Sequence, residues 1–503
     1  MPMRKIQVSK PSGEVAVKQS AELAARFDAV RAELKVPDSF PPDAQQEAEA
    51  AARAPVGLPT RDETAVPFLT IDPPGSKDLD QALHIERDGD GYHVRYAIAD
   101  VPAFVQAGGA LDAETRRRGQ TVYAPDKRTP LHPDVLGEGA ASLLPGETRP
   151  AFVWDMRLKA DGEGTDVTVY RALVRSVDRL DYEGVQKSID DGSADERLML
   201  LKEVGEKRLD FERRRGGASL PMPEQEVNED DRGHYRLYFR PPLQVEDWNA
   251  QVSLMTGMAA GEMMVKAKVG ILRTMPEPDH NEIGRFRHAS RALGVEWKQG
   301  TPYGEFLRSL DRTNPKHLAL IHEATALFRG AGYTAFDGDV PQEREHAAVA
   351  HVYSHVTAPL RRLVDRFGLV TCEALAAGEP VPDWVRQALP TLPDIMKSSD
   401  QVASQVERKC ADAVEAAALE DRVGEVFDAM VVDKRENGEA VVQIADPAVI
   451  ANAAGQAELG TWVKVRLAEA TVSTGTVRFE VTPCGVVCRR DGPAARIPYP
   501  WGG

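Results

Sequence analysis

Apolar residues recur every three or four positions near the start of the chain. Leu23, Phe27, Val30 and Leu34 fall on one face of a helix predicted over 21–34. Pro41-Pro42 interrupts that pattern, and Asp43, a residue type that caps helices, predicts a second helix running to Ala54. From Phe68 onward the pattern becomes short apolar runs: Phe68, Leu69 and Ile71, then Ala82, Leu83 and Ile85, then 92–99, 152–158 and 165–174. Runs that do not alternate strictly with polar residues predict strands covered on both faces. Helical spacing returns at 245–269, 315–330 and 357–377, and a long Ala-rich helix is predicted near 394–419. Short strands separated by Gly and polar turns follow at 423–432, 439–443, 462–467 and 476–482. Such a succession predicts an OB barrel.

The expected architecture is a multidomain α+β protein. A helical N-terminal module (1–65) precedes a central mixed α/β domain (66–418), an OB-fold barrel (419–488) and a tail (489–503) poor in apolar residues. A chain of 503 residues, 42% of them apolar, can build two or three domains with real cores. It contains no apolar run long enough to span a bilayer, so no membrane partner is expected. Met-Pro-Met-Arg-Lys-Ile-Gln lacks the apolar segment of a secretion signal. Four cysteines, Cys372, Cys410, Cys484 and Cys488, point to a reducing compartment, and the cytoplasm is the expected one. Cys484 and Cys488 have half of a metal-site spacing but no second pair follows, so both read as ordinary thiols. There is no internal repeat.

The densest chemistry lies in Thr70-Ile71-Asp72-Pro73-Pro74-Gly75-Ser76-Lys77-Asp78-Leu79-Asp80-Gln81. A strand delivers Asp72 to its end, a Pro-Pro-Gly turn folds the chain back, and a second strand leaves after Gln81. Three carboxylates on one turn repel one another and call for a positive partner. Hard oxygen ligands suit Mg2+ or Mn2+, which keep positions open for water and phosphate. Asp, Gly and Pro are also the ordinary residues of a solvated turn. The apolar runs on both sides argue instead for acids at the mouth of buried strands.

This stretch resembles the signature of the RNB family of exoribonucleases, the ribonuclease II and ribonuclease R group. The family has Asp, a second Asp six positions on, and an Asp-Asp pair at plus eight and plus nine. Asp72, Asp78 and Asp80 match the first three, and Gln81 departs from the fourth. Ala97-Ile98-Ala99-Asp100-Val101, Arg118-Gly119-Gln120-Thr121-Val122-Tyr123, and Pro130-Leu131-His132-Pro133 followed by Ala141-Ser142-Leu143-Leu144-Pro145 are similar to later family segments. Tyr353-Ser354-His355-Val356-Thr357-Ala358-Pro359-Leu360-Arg361-Arg362 with Asp365 is similar to the family's "YxHFTSPIRRYxD". These pieces occur in the family's order. The strand-rich C-terminal part matches the position of the family's S1-type RNA-binding domain, and the central part that of its RNB catalytic domain. Two further departures accompany the match. A helical module, with a helix-turn-helix-like plan as one reading, stands where bacterial members carry cold-shock barrels, and Leu369 replaces the His that usually follows the arginine motif.

The resemblance implies roles. Asp72 and Asp78 are expected metal ligands, with Gln81 offering an amide oxygen, and Asp80 is the acid whose loss stops cleavage while leaving binding. Two ions, Mg2+ or Mn2+, would activate the attacking water and stabilise the leaving oxygen. Arg361 is expected to clamp a phosphate, its fork matching phosphate oxygens, with an i,i+4 pair to Asp365 as the alternative. Tyr123 matches an aromatic stacking position, or is a half-buried strand Tyr. Arg362 and Glu407 are expected near RNA, and His355 is read as a packed or hydrogen-bonded side chain. The opposite stacking aromatic is not identifiable, because Phe211 and Tyr235 bound a stretch without aromatics. A net charge of −16 is unusual for a nucleic-acid enzyme. Arginine is concentrated at Arg116-Arg117-Arg118, Arg213-Arg214-Arg215 and Arg361-Arg362 with Arg366, which allows a basic interior channel or solvated helix faces.

The expected function is that of a monomeric, processive 3′-to-5′ exoribonuclease, closer to ribonuclease II, which hydrolyses single-stranded RNA to 5′-mononucleotides. Two alternatives are a catalytically impaired RNA-binding member of the family and a metal-dependent phosphodiesterase with another substrate.

Overall fold

The computed structural model describes residues 14–220, 222, 224–229, 235–240, 242–435 and 437–486. The Cys484–Cys488 pair and the 489–503 tail fall outside the residues whose side chains are described. The first helix, Glu14–Glu33, buries Leu23, Phe27 and Val30 against Val406, Cys410, Ala413 and Val414 of a long helix, Leu392–Leu419. One turn of spacing in each helix supplies the matching stripes. The second helix, Pro42–Arg53, begins at Pro42, not at an Asp43 cap, because proline is already set for the first helical position. It buries Ala44 and Ala48. Its Glu47 accepts the Leu111 N–H at 3.1 Å, at the N-terminus of the helix Ala110–Arg118, where a carboxylate is favoured.

Five strands close into a barrel: Phe68–Asp72, Gln81–Asp88, Gly91–Ala99, Thr148–Leu158 and Gly164–Asp181. Neighbours are antiparallel except at the seam, where Phe68–Asp72 runs parallel to Gly164–Asp181 and pairs Asp72 with Asp181. Both faces are covered. Leu83, Ile85, Tyr96, Ile98 and Trp154 belong to one core, which continues into Trp248, Val252 and Met255 of the helix Gln244–Ala267. Ala82, Ala97, Ala99, Ala151 and Val153 belong to a second, with Leu79, Leu111 and Leu143. This double burial is why the strand sequences read as continuous apolar runs.

The strand Val269–Thr274 pairs with Gly332–Asp337, and a helical group around the stacked Trp297 and Phe306 lies between them in sequence. Two predicted helices are shorter than their periodicity. The 315–330 stretch is helical as Pro315–Glu323 and tightens to a 3-10 turn at Ala324–Phe328. The stretch from Thr357 becomes helical at Leu363, because the preceding backbone is claimed by contacts described below. A second closed barrel follows: Val426–Lys434, Ala440–Ala445, Ala448–Ala454, Trp462–Thr471 and Thr476–Val486. Phe427, Val431, Val442, Ile444, Val465, Leu467 and Phe479 fill it, and Leu419 joins that core from the end of the long helix. The five-stranded barrel expected at this end is present; Ala448–Ala454 is the strand that the sequence reading did not separate.

Candidate active site

The acidic turn is held from within. Pro73 and Gly75 close it, with Gly75 at φ +86, a conformation glycine adopts freely, and the Ser76 N–H donates to the Pro73 carbonyl at 3.2 Å. Leu79 is fully buried, and its N–H donates to Ser142 Oγ at 2.9 Å while its carbonyl accepts from the Leu143 N–H at 3.0 Å. Ser142 in turn donates to the Lys77 carbonyl at 2.6 Å. Burying Leu79 in extended chain leaves Asp78 and Asp80 on the other side.

Around this turn the structure gathers residues from distant parts of the chain. Asp80 is 5% exposed; its Oδ1 accepts the Leu360 N–H at 2.7 Å and its Oδ2 lies 3.4 Å from Arg361 Nε. Burial pushes the Asp80 carboxyl up to about 8, against the lowering pull of Arg361. Burial likewise raises Asp72 to about 6, Arg361 opposing and Asp78 reinforcing the shift. Asp78 is paired with Arg128 Nη1 at 2.8 Å, and the same guanidinium meets Asp134 and Glu138. Arg128 comes from a short hairpin in which it pairs with Tyr123, half of whose surface is exposed. The Tyr123 hydroxyl is pushed up to about 12 by burial and is coupled to Arg361, Asp78 and Asp80. Gln81 is engaged at both ends: its Nε2 donates to the Thr357 carbonyl and its Oε1 accepts from Tyr96 Oη, each at 2.7 Å. Ser253, hydrogen-bonded to Thr357 Oγ1 at 2.9 Å, and Tyr182, which accepts from Asn249 at 3.1 Å and is coupled to Asp72, complete the surroundings.

The structure therefore brings together Asp72, Asp78, Asp80, Gln81, Arg361 and Tyr123. It separates Arg362 from them. That side chain forms a fork on Asp365, with both N–H···O distances 2.8 Å, in a buried pair that also binds the Ala358 N–H at 2.7 Å. The pairing anticipated for Arg361 belongs to its neighbour Arg362. Glu407 lies on the long helix, one residue past Val406, which is buried against the N-terminal helix. His355 is packed as expected, with the Tyr333 hydroxyl 2.7 Å from its Nδ1 and burial holding it neutral.

The other arginine groups are engaged within the chain, while Arg116, Arg117 and Arg118 also line a cavity with Leu34, Val36 and Gln120. Arg116 pairs with Asp112, Arg117 and Arg118 with Glu114, and Arg366 with Asp112 at 2.6 Å. Arg118 also donates to the Ser39 and Pro130 carbonyls. Arg215 donates to the Val349 carbonyl and Arg214 lies 4.5 Å over Phe211. These side chains hold the fold together.

Can the site hold a divalent ion? Among the described residues no three Asp, Glu, His or Cys side chains converge as a closed cage. Two carboxyls that burial makes reluctant to ionise, beside a third already paired with Arg128, are acids whose ionised form needs a cation beside it. Such a donor set fits Mg2+, which is commonly held by one or two carboxylates and keeps its waters for substrate oxygens. Sequence reading missed Tyr96, Arg128, Ser253, Tyr182 and the Leu360 N–H. Tyr96 carried a weak signal, since its strand follows the acidic turn; the others carried none.

Residues 60–368 match the RNB domain, and residues 425–482 match the RNase II-type exonuclease C-terminal S1 domain. Ribonuclease R of Escherichia coli is 30% identical over 318 residues, 60% of this chain and 38% of that protein. The chain thus spans well under half the length of that relative. Mycoplasma genitalium RNase R, solved in complex with ribose-methylated single-stranded RNA, superposes with a TM-score of 0.81 at 16% identity over 92% of this chain and 78% of that one. Yeast Ssd1, described as a pseudonuclease, superposes with a TM-score of 0.64 at 15% identity over 82% of this chain and 53% of its own. With more than half of its length matched by the RNB domain and an S1 domain behind it, the chain belongs to the RNB family of ribonucleases.

Proposed function

We propose that this chain is a metal-dependent exoribonuclease that removes nucleotides from the 3′ end of single-stranded RNA and releases 5′-mononucleotides processively. One observation carries the reading: a half-exposed Arg361 faces the buried acid Asp80 at 3.4 Å, beside Asp72 and Asp78. A cation with its fork free toward solvent and a carboxylate cluster behind it match the two demands of phosphodiester hydrolysis, a charge clamp and a place for divalent metal.

Asp72, Asp78 and Asp80 would hold Mg2+ or Mn2+, and Gln81 braces the site from behind. When bound, the ions supply water activation and charge stabilisation at the leaving oxygen. Arg361 binds and orients the phosphate, and Asp80 fixes Arg361 through their contact. Tyr123, with an exposed ring next to Arg361 and Asp80, offers a stacking surface for a base near the 3′ end. The C-terminal barrel and Glu407 are assigned to RNA farther from the cut. The thiols Cys372 and Cys410 are free and buried, which agrees with a cytoplasmic setting.

A 5′-labelled poly(A) ladder run with Mg2+ or EDTA tests the reading. Stepwise shortening that EDTA stops supports it. Retention without shortening favours an RNA-binding member that has lost turnover, and absence of any interaction favours a different phosphodiester substrate.

A further inference from the structure

We propose that Gln81 is a positioning residue whose side-chain amide ties the loop bearing Arg361 to the acidic turn, and that this tie, not metal ligation, is its role. The proposal rests on the reading of the site as an RNA-cleaving centre. The two ends of the amide are assigned by their partners. The Thr357 carbonyl can only accept, so the nitrogen must face it, 2.7 Å away. The oxygen then faces Tyr96, whose buried hydroxyl donates at 2.7 Å. A carboxylate in the same place would set an anionic oxygen against a carbonyl oxygen. A glutamine here is therefore chemically specific, and not a weakened aspartate.

The loop is tied at three successive points. Gln81 holds the Thr357 carbonyl, Asp365 Oδ1 holds the Ala358 N–H at 2.7 Å, and Asp80 Oδ1 holds the Leu360 N–H at 2.7 Å. Ser253 adds a contact to the Thr357 hydroxyl. Arg361 follows directly, its own carbonyl accepting the Thr121 N–H at 2.9 Å. Of these ties, those from Gln81 and Asp80 span the acidic turn and the arginine loop. Releasing the Gln81 tie takes the side-chain donor from the Thr357 carbonyl and one of two partners from the Tyr96 hydroxyl, and loosens the base from which Arg361 reaches Asp80.

The test uses the full chain without metal and two variants, Gln81→Leu and Gln81→Glu. Hydrogen exchange at the Ala358 and Leu360 amides should quicken about tenfold in both, with the Trp462–Thr471 strand unchanged. Binding of short oligo(A) in EDTA, followed by anisotropy, should weaken about tenfold in both when Arg361 is present. On an Arg361→Ala background the same changes should cost less than about twofold, because Gln81 acts through Arg361. Losses that multiply, or wild-type exchange in Gln81→Glu, overturn the proposal. So does tighter Mg2+ binding by Gln81→Glu with exchange unchanged, the pattern of a metal ligand. If Gln81→Leu opens the distant strand as well, Gln81→Glu decides. If the unmodified chain binds no oligo(A), the RNA reading falls while the exchange data still decide the tie.

Discussion

Arg361 Nε sits 3.4 Å from Asp80 Oδ2, although the two residues lie on segments separated by most of the central domain. The contact joins a cation that is about half exposed to a carboxylate that is almost fully buried. It is the geometry from which an anionic ligand could be drawn against an acidic cluster without neutralising it.

Removing the ionisable carboxyl of Asp80 should separate chemistry from binding. Asp80→Asn keeps an acceptor for the Leu360 N–H but weakens metal capture and the hold on Arg361. We expect RNA cleavage to fall by a factor on the order of 10³ while oligo(A) affinity changes little. Single-turnover rates and anisotropy on the same preparation check both halves; cleavage at the original rate would remove Asp80 from the mechanism.

The raised acids predict a pH signature for the metal-free protein. Asp72 and Asp80 titrate near about 6 and about 8 in the folded chain, against about 3.9 when unfolded. Between pH ~4 and ~8 the folded state holds protons that the unfolded state has released, so stability falls as pH rises through that window. Thermal melts at a series of pH values should show this decline, Asp80→Asn should flatten it, and added Mg2+ should oppose it at the alkaline end.

Arg361 and Arg362 should behave oppositely despite adjacency. Arg362→Ala strands the buried carboxylate of Asp365 and is expected to cost about 3–5 kcal/mol of stability. Arg361→Ala should leave the melting curve nearly unchanged and weaken phosphate binding. Denaturant titration and RNA binding on the two variants distinguish them, and a stability loss confined to Arg361→Ala would reverse the assignment.

Tyr123→Ala should remove a stacking surface without touching the core, since half of that side chain is exposed. The expected loss is about 1–3 kcal/mol in binding of the shortest RNAs, with long RNAs less affected. A length series of oligo(A) measured in EDTA reads this directly.

The N-terminal helix is part of the packed body. Phe27 is 2% exposed and shares a core with Val406 and Val414 of the long helix. Phe27→Ala should cost about 3–5 kcal/mol. A melting curve that does not move would mean that the helix contributes nothing to the packed structure.

Much of this was legible in the chain. The stripe of Leu23, Phe27 and Val30, the apolar runs of the first barrel and the short strands of the second are local patterns, and local patterns survive into the fold whenever the faces they define are buried. Asp72, Asp78 and Asp80 could be grouped from spacing because one turn carries all three. The helix read from Thr357 was not legible in the same way. Its residues have helical periodicity, but Gln81, Asp365 and Asp80 take the backbone groups of Thr357, Ala358 and Leu360, and the helix starts only at Leu363.

By itself the sequence determined the kinds of element, the C-terminal barrel and the acidic turn, because these depend on periodicity and on residues within a few positions of one another; closure of the first five strands into a barrel was decided by the fold. The tertiary structure alone decided which arginine meets the acids, that the remaining arginine groups are braced by Asp112, Glu114 and backbone carbonyls, and that Gln81 spans to Thr357. Those outcomes depend on contacts between segments about 280 residues apart, whose partners are chosen by which polar groups burial leaves unpaired.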